Sequence, residues 1–374
     1  MQLSNSDGDF ALESVPLSVV IPTYGRSKDL EGLLNSVKPD EKTHEVIVVD
    51  DCSVNPGEFD TLKKNFPDVR FIHLEKNVGP GQARNEGARF AQGEILLYLD
   101  SDTELVSGGI DLLIDFARKH PDIKIFSGWD SPVPLNSGFF PRFKALFMVV
   151  GAPNTDADVS FIAGRCFAID KEVMIESGGF NAEYKGADVE DFEFGYRLRR
   201  KYGEIRYLNG LRVHHRYPSL WRQFKLYFKR VRMWMDLRAS MGGFDDSFGT
   251  SKKDADSFGT SKKDAIIQIL SAVWPFALIL SLALGFFLPG LVFLLAALWM
   301  NRKFVTLCLR EEGVLFVFMS VLCHSFLAIA VLAGAFLELV RKPQLIFGII
   351  GNWFLRVRQN LNQIALTYHS KSEY

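Results

Sequence analysis

The side chains best placed to do chemistry are two carboxylates separated by one residue. The stretch Glu94–Asp102 begins as an apolar run, which predicts a buried parallel strand, and it ends in Asp100 and Asp102. Side chains two residues apart on a strand point to the same face, so both carboxylates can address one point beyond the strand end. They repel each other unless a cation lies between them, and oxygen ligands suit Mg²⁺ or Mn²⁺. The alternative is an acidic turn in which Asp102 caps the segment that follows.

Alternating strands and helices are needed to position these carboxylates. Apolar runs predict strands at Leu17–Ile21, Val46–Val49 and Arg70–Leu74, before the strand that ends at Asp100. Ser27 is a suitable N-cap for a helix after the first strand. The apolar positions of that helix recur at helical spacing: Leu30, Leu33, Leu34 and Val37. Short connections between alternating elements predict an α/β fold with a parallel sheet, which binds ligands beyond the carboxyl ends of its strands.

A glycine-rich turn, Asn77–Asn85, opens the helix that precedes the central strand. It is not a G-x-G-x-x-G fingerprint, because Arg84 stands where the third glycine would be, and it lacks the G-K-[ST] of a P-loop. A dinucleotide fingerprint would also follow the first strand rather than the third. A helix N-terminus with Arg84 beside it can still hold a diphosphate. The alternative is an ordinary helix start, with Arg84 in a structural salt bridge.

Three later features also bear on the site. Phe161–Ile169 predicts a further strand. Four acidic residues fall within Asp188–Glu193 at a helix start, where acids ordinarily complement the helix dipole in solvent. Aromatic residues interleave with them, which indicates that some of these acids face apolar surroundings. His214 and His215 follow a short strand, a position at which paired histidines are usually structural.

The composition divides the chain into two parts. The net charge of the 374 residues is −1, so no overall field favours nucleic acid as a partner. Residues before about Arg238 are mixed in polarity, whereas those from Ala265 onward are mostly apolar in long blocks. The four cysteines are scattered without a C-x-x-C, which fits a reducing compartment, and the first residues carry no signal-peptide core. We therefore expect the mixed part to lie in the cytoplasm.

Six motifs occur in the order and spacing of one enzyme family. Together they resemble the inverting family 2 glycosyltransferases of the GT-A fold, over about residues 15–217. The motifs are Ser18–Tyr24, Val48–Ser53, Ala83–Gly87, Asp100–Asp102, Gly178–Phe180 and Glu190–Asp191. The resemblance implies a Rossmann-like, mostly parallel sheet with helices on both faces.

The resemblance also implies which residues would bind a nucleotide-sugar donor. Pro22, Thr23 and Tyr24 would line the nucleotide pocket, with Tyr24 near the base. Asp51 would accept a hydrogen bond from the base, and Arg84 would lie near the phosphates.

The same resemblance implies a metal site and a catalytic general base. Asp100 would lie by the ribose and the metal, and Asp102 would hold Mg²⁺ or Mn²⁺ on the diphosphate. His214 matches a histidine that joins the metal or diphosphate site in some members. Asp191 matches the general base of the family.

A basic, aromatic helix follows the predicted catalytic domain. Its apolar residues fall on one helical stripe, with basic residues at the other positions. The stripe consists of Leu220, Trp221, Phe224, Tyr227, Phe228, Val231, Trp234 and Met235. Such a helix is typical of an anionic membrane surface. The alternative is a helix packed on the catalytic domain.

Apolar blocks long enough to cross a membrane come next. Ile266–Leu288 and Gly313–Val340 are the two clear ones, since about 20 residues suffice. Leu291–Met300 and Gln344–Phe354 are shorter. Basic residues flank every block, so the topology is not decided by charge. Before the blocks, a polar ten-residue sequence, Asp246–Ala255, is repeated without change, which indicates a flexible connection.

These features predict six segments. They are a polar tail (1–14), a GT-A domain (15–217), an interfacial helix (218–240), a linker (241–265), transmembrane or interfacial helices (266–355) and a polar tail (356–374). The predicted protein is a multi-pass enzyme of the cell inner membrane with a cytoplasmic catalytic domain. It would transfer one sugar from a nucleotide sugar to a polyprenyl-linked or saccharide acceptor in cell-surface glycan synthesis, with membrane lipids and no nucleic acid as partners.

Two other functions remain open at this point. One is a processive polysaccharide synthase, against which the chain lacks a Q-x-x-R-W motif that Arg230–Trp234 only partly resembles. The other is an inactive membrane scaffold, against which the acidic residues Asp100, Asp102 and Asp191 are intact.

Overall fold

A computed structural model of the chain describes residues 17–25, 27–40, 44–55, 57–186, 188–240 and 262–343. The strands are β1 (Leu17–Thr23), β2 (His44–Asp50), β3 (Arg70–His73), β4 (Ile95–Leu99), β5 (Thr103–Leu105), β6 (Ile125–Asp130), β7 (Ala157–Val159), β8 (Cys166–Asp170) and β9 (Ile205–His215). The helices of the first part are α1 (Ser27–Ser36), α2 (Glu58–Asn65), α3 (Pro80–Phe90), α4 (Gly109–Lys119), α5 (Phe139–Val150), α6 (Lys171–Glu176), α7 (Glu190–Tyr202) and α8 (Leu220–Ser240). The later helices are α9 (Lys262–Ala283), α10 (Phe287–Met300), α11 (Arg302–Glu312) and α12 (Val314–Arg341).

The strands form one mixed sheet in the order β3-β2-β1-β4-β8-β6-β9-β5, with β7 on β9. The first four are parallel, as predicted, and β8 is antiparallel to both β4 and β6. In the parallel part, Thr23 at the end of β1 lies opposite Asp50 at the end of β2. The carboxyl ends of β1, β2 and β4 therefore share one edge of the sheet.

Helices cover both faces of the parallel strands, which is why these strands are apolar along their whole length. On one face, Val19 and Val48 pack with α1, α2 and α4. On the other, Val20, Ile47 and Tyr98 pack with α3, α6 and α7. The predicted helix that begins at Ser27 is confirmed, and its four apolar positions are at most 1% exposed.

Two predicted element boundaries are wrong. The strand predicted at Phe161–Ile169 begins only at Cys166, because residues 161–165 form a loop over the sheet edge. His214 and His215 do not follow a strand but are the last two residues of β9.

The C-terminal part contains two helices long and apolar enough to cross a membrane, Ala265–Ala283 and Val314–Arg341. A third candidate is the pair α10 and α11, which is bent by 77°. The apolar stripe of α8 packs largely on α12, where the Phe224 and Phe326 ring centroids are 4.6 Å apart. Residues 246–261 of the tandem repeat and Gln344–Phe354 lie outside the described residues, and the last four residues of the repeat begin α9.

A glycine brings α3 close to the sheet. Gly87 lies over Val20 of β1 and Val49 of β2, and a β-carbon there would stand 3.2 Å from the Val49 Cγ2 and nearer still to Val20. This contact sets the position of the whole helix, and with it the position of Arg84 one turn earlier.

We predict that Gly87→Ala destabilises the protein although alanine is the better helix former. Overpacking of this kind costs about 1–3 kcal/mol, against a gain of about 1 kcal/mol in helix propensity. The apparent midpoint of thermal unfolding, followed by circular dichroism, should fall by roughly 2–6 °C. Gly57→Ala is the matched control, because its β-carbon would meet only Asp60, at 3.9 Å. An equal midpoint for both variants would contradict this account of the packing.

Candidate active site

The site lies where the parallel strands end. Thr23 ends β1, and Asp51 and Asp100 directly follow β2 and β4. The backbone N–H of Asp51 donates to the carbonyl of Thr23 at 2.9 Å. The fold therefore brings together most of the predicted donor-binding residues along one edge.

Arg84 is the buried cation of this edge, only 2% exposed. Its Nη2 donates to Asp100 Oδ1 at 2.6 Å and to the carbonyl of Gly164 at 3.1 Å, and its Nη1 lies 3.7 Å from Glu190 Oε1. These carboxylates raise the pKa of Arg84 against the opposing effect of burial. The ring of Phe180 lies beneath the guanidinium, 5.2 Å from its carbon. The salt bridge predicted for Arg84 is present, and it holds the guanidinium at the strand ends where the donor is predicted to bind.

Asp191 approaches the same cluster from the start of α7. Its Oδ2 lies 3.4 Å from the backbone nitrogen of Gly164, and its Oδ1 accepts from the N–H of Phe192 at 2.9 Å. A β-carbon on residue 164 would stand 3.0 Å from the Asp191 Cβ, so the close approach requires glycine. Burial raises the pKa of Asp191, although Arg230 and Arg84 oppose the rise. The pKa of its neighbour Glu190 is also raised, first by burial and then by the charge of Asp191.

A second chain of contacts starts at Asp102. His215 Nε2 lies 3.7 Å from Asp102 Oδ1, and His215 Nδ1 lies 3.1 Å from Asp130 Oδ1. Asp130 is fully buried and also pairs with Arg165, whose charge holds the pKa of that carboxyl well below its usual range. An ionised Asp130 accepts only, so His215 carries its proton on Nδ1 when neutral. Nε2, which lies 3.7 Å from Asp102 Oδ1, is then the nitrogen without a proton.

The structure does not bring His214 to this cluster. Its Nδ1 lies 2.7 Å from Ser131 Oγ and 3.0 Å from the carbonyl of Val133. Successive side chains on β9 point to opposite faces, so one histidine of the pair faces Asp102 and the other faces away. The histidine that lies near Asp102 is therefore His215, whereas the resemblance had pointed to His214.

The residues predicted to bind the nucleotide base surround an open edge of the sheet. Tyr24 is 50% exposed, whereas Pro22 and Thr23 are buried. Among the described residues, the Thr23 hydroxyl has no hydrogen-bond partner. Asp51 accepts from the N–H groups of Val78 and Gly79 at 2.7 and 2.9 Å, so it shapes the glycine-rich turn.

Sequence reasoning missed several residues of this edge, namely Asp130, Gly164, Arg165, Glu190 as a partner of Arg84, and His215. Asp130 could have been found from the sequence, because it ends a buried apolar strand as Asp50 does. No sequence pattern pointed to Arg165 and Gly164, since they lie in a loop that was predicted as part of a strand.

No set of three histidine, cysteine, aspartate or glutamate side chains within the described part of the chain is arranged to hold a metal ion alone. Asp102 lies 3.7 Å from the His215 ring, and Asp100, two residues earlier, pairs with Arg84. A metal bound there would need further oxygens from a ligand such as a diphosphate.

Known proteins resemble this chain in sequence and in fold. Residues 18–178 match the family described as Glycosyl transferase family 2. An uncharacterized glycosyltransferase of Haemophilus influenzae is 28% identical over 192 residues, which cover 49% of this chain and 61% of that protein. The GalNAc(5)-diNAcBac-PP-undecaprenol beta-1,3-glucosyltransferase of Campylobacter jejuni is 28% identical over 179 residues, covering 46% of this chain and 57% of that protein. The chain thus spans less than two thirds of the length of these relatives.

One solved structure shares the fold over most of the chain. The mannosyltransferase PcManGT of Pyrobaculum calidifontis, in complex with GDP-Man and Mn²⁺, has a TM-score of 0.52 and 15% sequence identity, and the match covers 87% of each chain. At that identity the likeness shows the GT-A fold alone. The match to the Glycosyl transferase family 2 model is confined to residues 18–178, which are less than half of the 374-residue chain.

Proposed function

We propose that the protein is a membrane-anchored, inverting glycosyltransferase that transfers one sugar from a nucleotide-sugar donor. Its acceptor would be a lipid-linked or free saccharide at the cytoplasmic face of the inner membrane, in cell-surface glycan synthesis. The observation that carries the proposal is the meeting of Arg84, Asp100 and Asp191 around the loop at Gly164. A cation for the donor and a carboxylate for the acceptor stand side by side there.

The donor side follows from the strand ends. Tyr24 would stack on the nucleotide base, and Thr23 and Asp51 would meet its polar edge, since the buried Thr23 hydroxyl has no partner in the part of the chain that the structure describes. Negative charge builds on the leaving diphosphate during transfer, and Arg84 lies beside Asp100 to stabilise it. The N-terminus of α3, which follows the glycine-rich turn, adds backbone N–H groups to the same region.

Asp102, Asp100 and His215 are the residues that would hold Mg²⁺ or Mn²⁺. The buried Asp130 fixes the His215 ring through Nδ1, an arrangement that orients histidine ligands in metal sites. The ion would neutralise the two phosphates of the leaving group. The mannosyltransferase named above was solved with Mn²⁺, which supports the choice of ion.

Asp191 would accept the proton of the attacking hydroxyl. It lies at the start of α7 and contacts the backbone nitrogen of Gly164, whose carbonyl accepts from Arg84. Its partly buried carboxylate has a raised pKa, which brings it nearer to the working pH of a general base. The acceptor class is supported by the membrane helices and by the lipid-linked saccharide in the name of the Campylobacter jejuni relative.

The decisive experiment is a panel of nucleotide sugars offered to membranes that contain the protein, with products identified by mass spectrometry. One donor should yield a product that carries a single added sugar. Long polymers would instead show a processive synthase. A complete lack of donor turnover and of donor binding would favour the inactive scaffold.

We predict that His215→Gln raises the concentration of Mn²⁺ or Mg²⁺ needed for half-maximal transfer by roughly 10-fold or more, in line with losses at metal-site residues. His214→Gln is the matched control and should change it little, because that ring contacts Ser131 and Val133 instead. Chelator should abolish transfer by the wild-type protein. Full activity in excess EDTA would show that transfer needs no metal ion. Equal effects of the two histidine variants would show that His215 is not a metal ligand.

We predict that Asp191→Asn lowers single-turnover transfer by on the order of 10²-fold or more, while donor affinity measured by calorimetry barely changes. Asparagine keeps the size of the side chain but cannot accept the proton. A mild effect would indicate a phosphate acceptor, which is already an anion and needs no base. A large loss of donor affinity would place Asp191 in the nucleotide site.

The raised pKa of Asp191 also predicts a pH dependence. A base works only when deprotonated, so kcat/KM should fall as the pH drops through the pKa of this carboxyl. Because burial raises that pKa, the acid limb should lie above 3.8, the ordinary value for aspartate. The limb should reflect Asp191 and Glu190 together, since neighbouring carboxylates titrate as a pair. A profile measured on the purified enzyme with no acid limb above that value would contradict the assignment.

A further inference from the structure

The long apolar helix α12 runs alongside helices of the first part of the chain. Near its start, the rings of Phe316 and Phe139 of α5 are 5.0 Å apart. In its middle, the rings of Phe326 and Phe224 of α8 are 4.6 Å apart. Side chains of α5 therefore contact the first half of α12, where Trp274 of α9 also donates to Ser325 at 2.8 Å, and α8 contacts the second half.

The contact with α8 continues to the end of α12. The backbone carbon of Phe228 lies 3.3 Å from the position that a β-carbon would take on Gly334, so the two helices touch backbone to backbone. Beyond it, Arg232 Nε donates to Glu338 at 2.9 Å and Lys342 Nζ donates to Asp236 at 2.6 Å. The order of these pairs shows that α8 and α12 run parallel.

Helix α8 is too highly charged to cross hydrocarbon. Its basic residues in the packed region are Arg222, Lys225, Lys229, Arg230 and Arg232. Lys229 Nζ also pairs at 2.5 Å with Asp188, in the loop before the catalytic helix α7. Charged side chains are expelled from the bilayer centre, so the part of α12 beside α8 must lie at or outside the membrane surface.

The remainder of α12 is too short to cross. Residues 314–325 precede the contact with α8, and at 1.5 Å per residue they extend about 18 Å. The hydrocarbon core is about 30 Å thick. Hydropathy alone favours a crossing here, but a crossing would break the packing on α8.

The helices α9 and α10 form an antiparallel hairpin whose second arm is also short. Asn301, directly after α10, donates to Ser271 of α9 at 3.2 Å, and Gly290 packs on the backbone of Leu278. The 14 residues of α10 extend about 21 Å, again less than the hydrocarbon core.

The tip of this hairpin is suited to acyl chains. Leu284, Phe286 and Leu288 are 62%, 68% and 69% exposed, and no charged residue occurs in residues 265–301. The turn satisfies its own backbone, because the N–H of Leu284 donates to Leu280 and that of Phe286 to Ser281. A tip in the water or headgroups of the far side would not expose only apolar side chains.

The base of the hairpin stands on the side of the catalytic domain. Helix α11 turns by 77° from α10 and packs on α5, where the rings of Phe304 and Phe143 are 5.6 Å apart. Arg142 Nε of α5 donates to Glu312 at 2.5 Å. The hairpin therefore enters the bilayer from this side and returns to it.

We propose that residues 262–343 are a monotopic anchor, which enters one leaflet of a lipid bilayer without crossing it. The α9–α10 hairpin dips into the acyl chains with its tip. Helices α8 and α12 lie along the surface, with their exposed apolar side chains towards the lipid. Both ends of α12 are then on the side of the catalytic domain.

Thiol labelling in oriented vesicles tests this arrangement on the full-length protein. The background is Cys52→Ser, because the other three cysteines are buried. Arg310→Cys and Arg341→Cys place thiols before and near the end of α12, at side chains 74% and 56% exposed. Lys119→Cys, on the exposed end of α4, marks the side of the catalytic domain.

A membrane-impermeant maleimide should label all three positions from the same side. Labelling of Arg310→Cys and Arg341→Cys from opposite sides would show that α12 crosses and would overturn the proposal, as would an Arg341→Cys that reacts from neither side. The background protein should remain unlabelled. Transfer activity does not enter this readout, so its outcome is independent of the proposed enzyme function.

The tip gives a second, independent measurement. Phe286→Cys should resist the impermeant reagent in both orientations, and a fluorophore attached there in detergent should be quenched by spin-labelled acyl chains after reconstitution. Labelling of this position from the face opposite to Lys119→Cys would show that the hairpin crosses, which would also overturn the proposal.

Discussion

The candidate active site depends on one buried cation, the guanidinium of Arg84. A guanidinium taken out of water is strongly disfavoured unless carboxylates and carbonyls compensate it. Arg84 meets this requirement with Asp100 from the end of β4, Glu190 from the start of α7 and the carbonyl of Gly164. Three separate parts of the chain are thus fixed around one charge, and the loop at Gly164 carries the constraint on to Asp191.

The packing of α3 on the sheet places Arg84 at the strand ends. Gly87 allows the helix to rest directly on Val20 and Val49, and Arg84 one turn earlier then reaches the strand ends. At the other end of the site, Asp130 and Arg165 form a second buried pair, which holds the ring of His215 towards Asp102. Both buried pairs orient groups that face the open edge, so the geometry of that edge is set before any ligand arrives.

Helix α8, which packs on the apolar helix α12, also contacts the candidate active site. Lys229 of α8 pairs with Asp188, three residues before Asp191, and the charge of Arg230 acts on Asp191 itself. In the proposed arrangement, the helix that would lie on the membrane surface therefore contacts the loop before the proposed general base. Such a connection suits an enzyme whose acceptor is presented at the lipid surface.

The sequence by itself determined the central strands, the helix after Ser27, the start of α3 and the acidic strand end. Each of these is written in local patterns, either an apolar run, a helical spacing or a cap, and the burial of both sheet faces follows from them. It also determined that apolar blocks follow the catalytic domain, because hydropathy is a property of composition. Only the tertiary structure decided which histidine faces Asp102, since alternation along β9 separates His214 from His215 without saying which face is which. It also decided that Arg165 and Gly164 reach the site, and that α12 lies beside the charged helix α8, because those contacts join residues far apart in the chain and leave no local pattern.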